Sequence, residues 1–244
     1  MTLAALRDLS AALARAHVRI GTDDDVTTQP EALARPTGWA ELDAILPDGG
    51  LPYGIVEMAC ASPQTRARAY AGATSIATAA IARALGSDDR TLAAWIDPDR
   101  TLHAPGLVQA GVDVHRLLVV RPPPPVSSSV LGRVAIKVVA SGAFAIVVVD
   151  MAHDARRARE APELVVRKLA LAAESSGATV VLLTEPARMP PRTTPWPVAM
   201  RLDVTRVREG ISLSIPKERR GRVQTAKVTV AVPARVRSCA ASSR

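Results

Sequence analysis

Ala143-Phe144-Ala145-Ile146-Val147-Val148-Val149-Asp150 runs apolar for seven residues and closes on an acid. The run has no polar alternation, so a strand over Ile146–Asp150 needs cover on both faces. It is far shorter than the roughly 18 apolar residues of a membrane-spanning helix. Working outward, similar runs predict strands near Ile55–Ala59, Leu92–Asp97, Leu117–Val120 and Thr179–Thr184. Helical stretches fall between them, near Ala69–Leu85, Thr101–Ala110, Ser127–Ala140 and Pro162–Ser175. Strands that alternate with helices and are apolar on both sides predict an α/β fold: three layers, a mainly parallel sheet, helices on both faces.

The C-terminal third reads differently. Leu202, Val204 and Val207 precede Glu209-Gly210, and Ile211, Leu213 and Ile215 alternate after it. That pattern predicts an antiparallel hairpin extending the sheet, and Lys227–Val232 alternates again. Pro-rich RPPPPVSSS (121–129) and EPARMPPRTTPWP (185–197) break regular structure. At the other end, Leu3, Leu6, Leu9 and Leu13 recur at helical spacing behind Thr2, an amphipathic helix over residues 1–20. Acidic, proline-closed GTDDDVTTQPEALARP (21–36) reads as a linker, 37–232 as the core domain, and 233–244 as a flexible basic tail.

The chain of 244 residues is 48% hydrophobic and 22% charged, which excludes wholesale disorder. Two cysteines, Cys60 and Cys239, are too few for a disulfide framework or a cysteine-based metal site. With no basic n-region before the first leucines, a signal peptide is not expected, and the location expected is cytoplasmic. The net charge of +8 is uneven: residues 1–120 hold 10 basic and 14 acidic side chains, residues 121–244 hold 21 and 9. A basic half points to a polyanion such as nucleic acid. His17, His103, His115 and His153 are scattered and read as surface or packing residues.

Specific motifs sharpen this. Thr37-Gly38-Trp39-Ala40-Glu41-Leu42-Asp43, then Gly49-Gly50-Leu51-Pro52-Tyr53-Gly54-Ile55-Val56-Glu57, resemble the RecA recombinase superfamily. The resemblance continues through Trp95-Ile96-Asp97, Gly111-Val112-Asp113, Val147–Asp150 and Arg201-Leu202-Asp203-Val204, covering roughly residues 37–230. It implies a RecA-like core.

The departures are as informative. Where that family has a phosphate-binding loop, this chain reads Cys60-Ala61-Ser62-Pro63-Gln64-Thr65-Arg66-Ala67. Cys60 and Thr65 replace the two glycines whose freedom lets backbone N–H groups wrap phosphates. Arg66 stands for the lysine and Ala67 for the hydroxyl that would hold magnesium. Asp150 lies at the family's metal-supporting aspartate, and Asp99 at its catalytic glutamate, one methylene shorter. The expectation is a degenerate nucleotide pocket, no catalytic residues, no ATPase activity, no cofactor and no metal.

The family's two DNA-contacting loops correspond to Met151–Pro162, with Arg156, Arg157 and Arg159, and Glu185–Pro197, with Arg188, Arg192 and Trp196. Cations with an aromatic suit a phosphate track with a stacking platform. Lys217, Arg219, Arg220 and Arg222 fall where the family has lysines serving ATP at a subunit boundary; without ATP they are expected to meet DNA. A RecA-like core with a degenerate loop and no C-terminal domain resembles the ImuA (SulA-like) family. That resemblance implies an accessory protein of damage-induced mutagenesis, nucleoid-associated, working in translesion synthesis with an ImuB-like polymerase homologue and an error-prone DnaE-type polymerase. Sequence-independent DNA, RecA and self-association are further expected partners, the last two through the Leu3, Leu6, Leu9 and Leu13 stripe; no membrane partner is expected. Two other readings compete: an ATP-binding RecA paralogue acting in recombination, and a SulA-type cell-division inhibitor.

Overall fold

The computed structural model describes residues 34–60, 71–151, 163–184 and 197–233. In chain order the elements are β1 (Ala34–Arg35), α1 (Ala40–Asp43), β2 (Leu51–Pro52), β3 (Gly54–Cys60), α2 (Ala71–Leu85), β4 (Ala93–Ile96), α3 (Ala104–Gln109), β5 (Leu117–Val120), α4 (Ser128–Ala140), β6 (Ile146–Asp150), α5 (Glu163–Ser176), β7 (Thr179–Thr184), β8 (Met200–Arg206), β9 (Ile211–Glu218) and β10 (Gln224–Val230). The chain divides into two units, Met1–Ala32 and Leu33–Arg244, and every described residue belongs to the second. The expected helix over 1–20, with its leucines, and residues 234–244 of the expected tail lie outside the described residues.

The protein is α/β, with a mostly parallel eight-stranded sheet in the order β10-β9-β8-β3-β7-β6-β4-β5. The six strands from β8 to β5 pair in parallel. β9 pairs antiparallel with β8, and β10 with β9. Every residue of β3, β4, β6 and β7 is buried, including the polar Glu57, Asp150, Thr179 and Thr184 among their apolar neighbours.

Successive residues of a strand point to opposite faces, and this divides the core in two. Val56 and Met58 of β3, Trp95 of β4, Val148 of β6 and Leu183 of β7 pack on one face under α2, with Leu42 of α1 and Leu107 of α3. The apolar side of α2, Ala73, Ile76, Ala77, Ala80, Ile81 and Leu85, follows three- and four-residue steps. The other face carries Ile55, Ala94, Val147, Val149, Val180 and Leu182. There α4 contributes Leu131, Ala135 and Val139, and α5 contributes Val166, Leu169 and Ala173.

Three local departures from the sequence reading have physical causes. Ala34 and Arg35, placed in the linker by composition, pair with Pro52 and Leu51 and belong to the folded body. Helix α3 begins at Ala104 and not Thr101, because the Asp97 carboxylate accepts the N–H groups of Thr101 (2.9 Å) and Leu102 (3.2 Å) and holds them in a turn. His103 then caps α3, its Nδ1 accepting from the Gly106 N–H at 3.3 Å. β10 starts at Gln224, three residues before the expected Lys227, across an irregularity in its pairing with β9.

Candidate functional site

Parallel strands end together, so the fold collects one set of side chains at the edge where β3, β4, β6 and β7 terminate. Open α/β sheets place ligand sites at this edge. Cys60 ends β3 and Asp150 ends β6; both are buried, and both point to the face covered by α2. Asp99 sits in the turn after β4 and is exposed. Cys60, Asp99 and Asp150 therefore gather at one edge, whereas Thr65, Arg66 and Ala67 lie outside the described residues.

A third aspartate at this edge is fully committed. Asp97, wholly buried, accepts from Thr101, Leu102 and the Arg121 Nε (3.0 Å), and Arg121 Nη2 also donates to the Leu102 carbonyl at 3.3 Å. These bonds lock the 97–102 turn against the end of β5. They satisfy a carboxylate that burial would otherwise penalise heavily.

On the opposite face lies a polar network that sequence reasoning missed. Glu57, in the middle of β3 and 2% exposed, accepts from the Thr184 hydroxyl at 3.2 Å. Arg201 of β8 approaches Glu57 at 3.8 Å and donates through Nε to Asp203 at 3.0 Å. Register makes this possible: Glu57 stands beside Arg201, and Ala59 beside both Thr184 and Asp203. The available signal was an acid inside the apolar run Ile55–Cys60, which must find a partner in the sheet.

The basic C-terminal turn is at the other edge of the sheet. β9 runs antiparallel to β8, so Glu218 pairs with Met200, where the parallel strands begin. The turn after Glu218 passes through Gly221, whose φ of 78° favours glycine. Arg222 grips Asp48 with both arms of its fork, at 2.8 and 2.6 Å, and reaches buried Glu218 at 3.4 Å. Arg220 stands 3.5 Å from the same Asp48. The bond from Arg222 holds the Asp48 carboxyl below its ordinary value, against an opposing effect of burial, and the charges of Arg222, Arg220 and Arg219 add to the lowering. Burial pushes Glu218 up, but the Arg222 side chain and the N–H groups of Arg222 and Arg220 outweigh it and leave the carboxyl lowered. Arg222 is raised in turn, first by Asp48 and then by Glu218.

Placement of the expected DNA contacts follows. Arg222, and to a lesser degree Arg220, serve an internal clasp; Arg219 is exposed beside them and Lys217 is half-buried. Arg156, Arg157, Arg159, Arg188 and Arg192 lie outside the described residues. Their segments leave from Met151 and Thr184, at the edge opposite the turn after Glu218.

Comparison with protein-family models and with curated proteins gives no match. No cluster of three metal-ligating side chains occurs among the described residues, and none of their helices is long and apolar enough to cross a membrane.

Proposed function

We propose that this protein is a RecA-like accessory factor that binds DNA and protein partners in translesion synthesis without hydrolysing ATP. The observation that carries the reading is the set Cys60, Thr65, Arg66 and Ala67 at the phosphate-loop positions, following a strand whose end is otherwise placed for ligand binding. Phosphoryl transfer in that family depends on glycines that let backbone N–H groups wrap phosphates, a compact cation and a metal-holding hydroxyl, and all three are replaced in the sequence. The parallel sheet covered on both faces, continued beyond β8 by β9 and β10 in antiparallel pairing, supports a RecA-like core. Asp97, which lies near that edge, is consumed by its own turn and adds nothing to a nucleotide site.

The DNA-binding part rests on the excess of cations in residues 121–244. Neutralising phosphates releases condensed counterions, so affinity falls steeply as salt rises. The decisive experiment measures ATP turnover and binding of single-stranded DNA on the same preparation. Salt-sensitive DNA binding without turnover is the expected result. Turnover above background that vanishes on Asp150→Ala would sink the proposal and favour the ATP-binding paralogue. Absence of DNA binding at low salt would favour a cell-division inhibitor.

A further inference from the structure

We propose that the outer face of α4 and α5 docks an acidic amphipathic helix of a second protein. Helix α5 is apolar on two sides. Val166, Leu169 and Ala173 enter the core, while Leu164 and Leu171 are each 63% exposed. Seven residues span two turns, about 10 Å, so these leucines stand in line on one side. Exposed Lys168 lies between them. Helix α4 runs alongside so closely that a Cβ on Gly132 would sit 2.2 Å from Val165 Cγ1, and it carries exposed Arg133 and Lys137 on the neighbouring helix.

Single exposed leucines are ordinary, but a leucine row with Lys168, Arg133 and Lys137 against one exposed acid, Glu174, is a net-basic composite surface. Arg167 is paired with Glu163 at 2.7 Å; Arg133, Lys137 and Lys168 have no ion pair among the described residues. A second copy is a poor occupant, since two-fold contact would set Lys168 and its neighbours against their own like charges. Nucleic acid would use the cations and leave the leucines wet. An acidic helix with its own apolar stripe satisfies both. The proposal supplies a protein-binding surface for the accessory factor and rests on that reading only for the existence of a protein partner.

The probe is a dye-labelled helical peptide with a leucine stripe flanked by glutamates; its control carries lysines instead. With the full chain, the acidic peptide is expected to bind and the basic one not. Leu164→Ser with Leu171→Ser, and separately Lys168→Glu, should each weaken binding by at least about tenfold with unchanged thermal midpoints. Equal binding of both peptides, or variants that bind like the parent, would overturn the proposal. So would displacement by single-stranded DNA together with DNA binding lost in Lys168→Glu but kept in the serine variant. If the serine variant melts early, Lys168→Glu alone decides. Binding of DNA without the acidic peptide sinks this surface and leaves the accessory reading standing; binding of the peptide without DNA does the reverse.

Discussion

Asp43 shows how a motif residue can do purely structural work. Its carboxylate accepts from the Thr37 N–H (2.8 Å), the Thr37 hydroxyl (2.6 Å) and the Gly38 N–H (3.1 Å). That clasp turns the chain so that Leu42, fully buried, enters the core below α2. Asp43→Ala orphans those donors and should cost about 1–3 kcal/mol, read from urea unfolding, with DNA affinity unchanged. Asp48 and Glu218, like Asp113 beside Arg116, contribute to the pH dependence at this scale. Both carboxyls are lowered in the folded protein, so the unfolded chain takes up protons first as pH falls. Their stabilisation is complete above the ordinary carboxylate range of about 4 and is lost as pH drops toward the lowered values. A urea midpoint that falls between pH 6 and pH 3 in the parent, and falls less in Asp48→Asn with Glu218→Gln, is the expected result. Parallel curves would place the acid sensitivity elsewhere.

At the scale of elements, what could be read from the sequence followed from burial. β6 and β7 occupy the ranges their apolar runs announce, because a run covered on both faces has only one stable setting. Asp97 falsified the expected start of α3, and no periodicity could have shown it: its partners Thr101, Leu102 and Arg121 meet only in the folded turn. The Glu57–Thr184 bond is equally illegible, joining residues 127 positions apart through strand register. The motif glycines are legible by contrast. Gly50 admits no Cβ because the Arg35 carbonyl oxygen would lie 2.3 Å away, and Gly54 adopts a φ of 96°. Gly132 makes the same argument testable between helices. A methyl group there collides with Val165, so Gly132→Ala should destabilise by about 1–3 kcal/mol despite its better helix propensity. Adding Val165→Ala removes the obstacle, and the double variant should recover most of the loss. Strict additivity would show that α4 and α5 move apart freely.

At the scale of the whole sheet, the cations expected to meet DNA form two groups in the sequence, Arg156, Arg157, Arg159, Arg188 and Arg192 in one and Lys217, Arg219, Arg220 and Arg222 in the other. Met151 and Thr184, from which the segments carrying one group leave, lie at the edge where open α/β sheets bind ligands; the other group flanks the turn after Glu218. A seven-residue strand such as β3 separates those edges by about 23 Å. A short oligonucleotide can satisfy only one group, whereas a long strand can follow both. Arg222 is a poor probe of this, since charge reversal would set a third carboxylate between Asp48 and Glu218 and unsettle the fold. Lys217→Glu with Arg219→Glu is the better choice. On a long single strand it should weaken binding to all sequences alike and reduce the salt slope by about one for each lost phosphate contact. On an oligonucleotide of a few nucleotides it should change nothing, while reversal of Arg156, Arg157 and Arg159 abolishes binding. If the Lys217 and Arg219 reversal weakens short and long strands equally, the DNA site is the turn itself. If it affects neither, DNA stays at the edge where the parallel strands end, and the clasp holding Asp48 serves stability alone.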